Sequence, residues 1–137
     1  MLYFAYGANT NLENMKHRCP NAKLVGSIEL PDYRLVFRGV ADIEPAAHNI
    51  VLGVLWNITG TCERALDIFE GFPHLYRKEN FCVEIGEDKK IEDVMFYTMN
   101  RTNYALPNES YFRCIEDGYI QNGLATDLLY ESLGATT

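Results

Sequence analysis

Glu70 closes a segment, Cys62–Phe69, in which Cys62, Ala65, Leu66 and Phe69 fall at i, i+3, i+4 and i+7, one face of a helix. A carboxylate at that end meets the negative pole of the helix dipole, which disfavours its charged form. Phe69 and Phe72 flank it. A side chain turned inward between them would lose water, and that raises its pKa further. Both effects carry a glutamate towards the range where it can take and return a proton at neutral pH. The same position equally suits a solvated glutamate at a helix end.

A second candidate is Tyr6-Gly7-Ala8-Asn9, read as a strand-to-loop junction. Gly7 admits backbone geometry closed to other residues. Consecutive backbone N–H groups at such a bend form a nest for a carboxylate or an oxyanion, and the start of the next helix adds positive partial charge. Asn9 can both donate and accept hydrogen bonds. An ordinary turn has the same local composition. Tyr76 and Tyr97, on two adjoining strands, could each aim a hydroxyl into a pocket, although with nine tyrosines in the chain packing is the default role of any one. His17, His48 and His74 are scattered, and there is neither a Gly-x-Ser-x-Gly elbow nor a Gly-rich phosphate loop.

The elements that must position these residues follow from periodicity and punctuation. Leu2–Tyr6 reads as a short buried strand. Thr10, with Glu13 three residues on, predicts a capped helix over Asn11–Arg18. Lys23–Leu30 and Tyr33–Arg38 read as strands, Ala41–Asn49 as a loop or edge piece broken by Pro45, and Ile50–Ile58 as a central strand. Thr61 is placed to cap the helix that ends at Glu70, with Gly71 as its terminator and Pro73 beyond. Tyr76–Ile85 and Ile91–Met99 form a strand pair around a charged turn. Asn108 opens a helix with Tyr111, Cys114, Ile115 and Gly118 on one face, and a last helix covers Thr126–Leu133. Neighbouring strands are close enough to pair antiparallel, an α+β layout.

Composition bounds the rest. A chain of 137 residues, 47% hydrophobic and 23% charged, is one globular domain over residues 1–137. Twelve basic against nineteen acidic residues leave a net charge of −7, which argues against nucleic acid and against an anionic membrane as partners. The apolar stretch Met1–Tyr6 is too short for a signal peptide, so the expected compartment is the cytoplasm. There, Cys19, Cys62, Cys82 and Cys114, with no paired spacing, read as small core residues rather than as disulfides or metal ligands.

Two segments carry a resemblance to a known family. Tyr3-Phe4-Ala5-Tyr6-Gly7-Ala8-Asn9 resembles the YFAYGSN opening of the gamma-glutamylcyclotransferase-like (AIG2-like) family. Leu66 to Arg77, LDIFEGFPHLYR, resembles its LDxfEGxPxxYxR signature. Tyr33–Phe37, Gly53–Trp56 and Pro107–Leu124 match more weakly and in the same order. The resemblance implies a small mixed β-barrel with flanking helices. It further implies a gamma-glutamyl amide or peptide as substrate, cyclised to 5-oxoproline with release of an amine or amino acid, and no metal or organic cofactor. By the same resemblance Glu70 is the general acid/base, Tyr6, Gly7, Ala8 and Asn9 form the substrate loop, and Tyr76 and Tyr97 line the pocket. Ala8 departs from the pattern, where serine is commonest. Two other outcomes fit the same residues: an idle member that binds a small acidic or amide ligand, and an amidase or acyl transferase. Neither the leaving group nor the oligomeric state is legible.

Overall fold

A computed structural model describes residues 1–100 and 102–135. Five strands and four helices follow in the order β1 (Leu2–Ala5), α1 (Leu12–Arg18), β2 (Lys23–Phe37), β3 (Ala41–Asn57), α2 (Gly60–Glu70), β4 (Tyr76–Ile85), β5 (Lys90–Met99), α3 (Glu109–Gln121) and α4 (Asp127–Ala135). A single 3-10 turn, Ala8–Thr10, links β1 to α1. The strands form one mixed sheet in the order β2-β3-β1-β5-β4.

β1 lies at the centre, antiparallel to β3 and parallel to β5. Both its faces are covered, which explains its unbroken apolar sequence. Phe4 packs with Phe37, Phe96, Ile115 and Tyr119 on one side. Tyr3 and Ala5 pack with Met15, Trp56, Leu66 and Tyr97 on the other. β5 splits the same way, Val94 and Phe96 to the first core and Met95 and Tyr97 to the second.

The α+β class matches the sequence reading, but the sheet does not close into a barrel. Among the described residues no ladder joins the outer strands β2 and β4. Only a side-chain contact spans them there, the Tyr33 hydroxyl donating to Glu79 at 3.3 Å. Strands that neighbour in sequence, β2–β3 and β4–β5, pair antiparallel as expected, whereas β1–β5 is parallel because the chain crosses over through β2, β3, α2 and β4 before returning beside β1. Ala41–Asn49 is not a loop. It is the first part of β3, with Pro45 opposite Tyr33. Proline is tolerated because β1 pairs only with residues 54–57 of β3, so among the described residues no strand ladder runs along that edge of residues 41–49.

Two caps sit elsewhere than their sequence signals. Asn11, not Thr10, caps α1 by accepting from the Asn14 N–H at 3.0 Å, while Thr10 Oγ1 donates to the Gly7 carbonyl at 2.7 Å. Thr59, not Thr61, caps α2 by accepting from the Cys62 N–H. Gly71 ends α2 in the left-handed region at φ 64°, as its sequence position suggests.

The cysteine reading is also corrected. Cys19, directly after α1, and Cys62, in the first turn of α2, form a disulfide with their Cα atoms 5.2 Å apart. Helix–helix packing created that proximity, across a sequence separation of 43, and no local spacing signals it. Cys82 is exposed rather than in the core, and Cys114 is half-buried.

Candidate functional site

A cavity of about 180 Å³ opens where the end of β1, the 3-10 turn and the end of α2 meet. Tyr6, Gly7, Ala8, Asn9, Glu70, Tyr76 and Tyr97 all line it. The seven residues singled out in the sequence thus share one concavity, although 61 positions separate Asn9 from Glu70.

The loop is held from behind. The Thr10 N–H donates to the Gly7 carbonyl and the Asn11 N–H to that of Ala8, at 3.0 and 3.1 Å. In such a turn the N–H groups of Ala8 and Asn9 precede the ladder and have no partner within it. Asn14 Nδ2 also donates to the Ala8 carbonyl, and the Trp56 indole N–H donates to that of Asn9. The Asn9 amide donates to the Tyr3 hydroxyl at 3.0 Å. From the far side α3 presses on the same turn at Gly118, where a Cβ would lie 2.2 Å from Thr10 Oγ1. Space also restricts Gly7, whose backbone stands at φ −114° and ψ −130°. A Cβ there would stand 3.1 Å from the Ala41 Cβ.

Glu70 is half-buried on the last turn of α2. Burial pushes its carboxyl up to about 7, with the Arg18 guanidinium pulling the other way. Among the described residues it makes no hydrogen bond or ion pair, so its oxygens are left to the cavity. Arg18, at the end of α1, lies over the Phe69 ring, 3.3 Å from its centroid, and its Nε donates to Asn9 Oδ1 at 3.3 Å.

The tyrosines contribute walls more than free hydroxyls. Tyr6 donates to the Tyr97 carbonyl and Tyr76 to the Ala41 carbonyl, each at 2.6 Å. Tyr97 donates to Asp67 Oδ1 at 2.5 Å, and Asp67 in turn meets Lys78 Nζ at 2.9 Å. Burial raises the Tyr3, Tyr76 and Tyr97 hydroxyls far above their ordinary range, so all remain protonated. Sequence reasoning missed Tyr3 and Tyr111, which also line the cavity. Tyr111 accepts from the Ala41 N–H at 2.9 Å, and burial holds it up at about 12. Strand alternation gave no signal for Tyr3, since it sets Tyr3 with Ala5 on the face opposite Tyr6. Tyr111 carried no signal, because α3 reaches the site only through tertiary packing.

The gamma-glutamyl cyclotransferase, AIG2-like family model matches residues 3–119, which include every element of this cavity. The chain belongs to that family. Among solved structures it is similar to a gamma-glutamyl cyclotransferase at 28% identity and a TM-score of 0.83, covering 98% of this chain and 86% of that one. An uncharacterized protein from Homo sapiens is similar at 29% identity and 0.81, with the same coverage of 98% and 86%. YkqA from Bacillus subtilis shares the fold at 23% identity and 0.77, covering 98% of this chain and 54% of that one. No curated protein sequence matches the chain. Among the described residues no three His, Cys, Asp or Glu side chains gather as a metal site requires, and no helix is long and apolar enough to cross a membrane.

Proposed function

We propose that this family member cyclises gamma-glutamyl amides or peptides to 5-oxoproline, with Glu70 carrying the proton. The observation that supports this reading best is the placement of Glu70. An unpaired, half-buried carboxyl, poised near neutrality, lines the same cavity as the bend at Gly7, Ala8 and Asn9.

In such a substrate the α-amine reaches its own γ-carbonyl and closes a five-membered ring. The nucleophile is tethered, so alignment alone supplies an effective concentration on the order of 10⁵ M or more. The Glu70 carboxylate takes a proton from the α-ammonium. The freed amine attacks the γ-carbon, and the carbonyl π pair moves onto oxygen. The N–H groups of Ala8 and Asn9 are the donors for that oxyanion, and one well-placed donor contributes roughly 2.7–4 kcal/mol in other enzymes. Collapse of the intermediate restores the carbonyl and breaks the original C–N bond as Glu70 returns its proton to the departing nitrogen, and the second proton of the ring nitrogen then passes through the same carboxylate to the freed amine. Loop amides also suit the substrate's α-carboxylate. These groups act through the backbone, so the alanine at position 8 does not remove them.

Product analysis with gamma-glutamyl dipeptides and gamma-glutamyl amines tests the reading. Stoichiometric 5-oxoproline is the expected product. Free glutamate would mean that water attacks instead, and binding without turnover would leave the chain a ligand-binding relative.

A further inference from the structure

Arg18 stands beside the cavity, held against two of its lining residues, Asn9 and Phe69. Its Nε is taken by Asn9 and its plane lies on Phe69. Its two terminal nitrogens make no hydrogen bond, and it forms no ion pair among the described residues. A planar guanidinium fixed at one edge and on one face presents its remaining edge in the fork geometry that matches a carboxylate.

The location matters as much as the charge. Of the residues lining the cavity, Phe69 and Leu75 are the most exposed, at 44% and 46%, so they mark its mouth. The reacting carbonyl must lie inside, by Glu70 and the loop amides. The departing group therefore extends towards Phe69, where Arg18 is stacked.

We propose that Arg18 binds a carboxylate carried by the departing group, which makes the preferred substrates gamma-glutamyl amino acids rather than gamma-glutamyl amines. This assignment rests on the cyclotransferase reading. It gives the site a division of labour: loop amides hold the glutamyl part, Glu70 moves the proton, and Arg18 selects what leaves.

The test compares gamma-glutamyl-alanine with gamma-glutamyl-ethylamine, which differ only in the leaving group's carboxylate. Wild-type protein should favour the dipeptide in kcat/KM. Arg18→Met should cut the ratio of the two kcat/KM values by about tenfold to a hundredfold, the range of a hydrogen bond to a charged group. The loss should appear in KM for the dipeptide. Arg18→Lys should restore part of the preference, since charge survives without the fork. Any shift of the Glu70 carboxyl caused by losing Arg18 affects both substrates and cancels in the ratio. Equal losses for both compounds, or a wild-type protein indifferent to the carboxylate, would overturn the assignment while leaving the cyclotransferase reading intact. Absence of 5-oxoproline from both compounds with wild-type protein would overturn both readings.

Discussion

Two carboxylate sites, one on β3 and one at the end of α2, are furnished in opposite ways. Asp42 is buried and saturated. Its oxygens accept from Arg38 Nε at 2.8 Å, the Met99 N–H at 2.8 Å and Thr98 Oγ1 at 3.0 Å. Its neighbour Glu44 accepts from Arg34, Arg38 and Tyr104. Burial pushes the Glu44 carboxyl up, but the Tyr104 hydroxyl and the two arginines outweigh it and hold it below the ordinary range. Glu70 has burial without the donors, and its carboxyl rises to about 7. The difference teaches where chemistry can reside. A carboxylate well supplied with donors fixes strands, whereas one deprived of partners keeps its affinity for a proton.

The sharpest way to break that contrast is Glu70→Gln. It should lower kcat by about 10²- to 10⁴-fold, the usual contribution of a positioned acid/base. It should also stabilise the fold in alkaline solution. The native carboxyl titrates near 7 against an ordinary 4.5, so the native state holds the proton more tightly than the unfolded chain does. Stability is therefore lost as pH rises from about 4.5 through 7. The glutamine variant avoids that loss, and its melting temperature should exceed wild type at pH 8 but not at pH 4. The wild-type kcat/KM should rise with pH through a limb near 7, and a limb near 4.5 would mean that Glu70 is ordinary.

Asp42→Ala should do the reverse. Arg38 and Asp42 side chains are only 5% and 2% exposed, so removing Asp42 takes one of the two carboxylates from Arg38, which keeps Glu44, and leaves the Met99 N–H without its acceptor, at a cost of about 1–3 kcal/mol in unfolding free energy. Urea denaturation would read it. In the fraction that remains folded, the kcat/KM limb should stay where it was. A displaced limb with unchanged stability would erase the distinction between the two sites.

How much of this was legible depended on the range of the forces involved. The helix ending at Glu70, the bend after Tyr6 and the capping role of Asn108 are set within a few residues, and the chain shows them directly. Pro45 gave a breaker signal that pairing with β2 overrode. The parallel seat of β5 beside β1 and the disulfide between Cys19 and Cys62 have no local signature at all. Arg18 and Tyr111 acquire their places from packing against Phe69 and Ala41, so their side chains looked like ordinary helix positions. The family resemblance joined Glu70 to the loop; the geometry adds what stands around them.

Gly7→Val probes the loop that lines the cavity with Glu70. Its Cβ would press on Ala41 and its methyl groups would enter the cavity beside Tyr111. Affinity for 5-oxoproline, measured by calorimetric titration, should fall by about tenfold to a hundredfold, in line with overpacking costs of roughly 1–3 kcal/mol. Unchanged affinity would remove the loop from the site.

The smallest expected effect belongs to Tyr97→Phe. The hydroxyl donates to Asp67, one turn before Glu70 on the same helix, so it ties β5 to the end of α2. Asp67 keeps Lys78 when the hydroxyl is removed, so the cost should be about 1 kcal/mol of stability. Turnover should drop only a few-fold, through a less firmly held helix end, and the pH limb should not move. A loss as large as that of Glu70→Gln would make this phenol a proton carrier in its own right. The argument that an undersupplied carboxylate suffices for both transfers would then fail, because a second acid would be sharing the work.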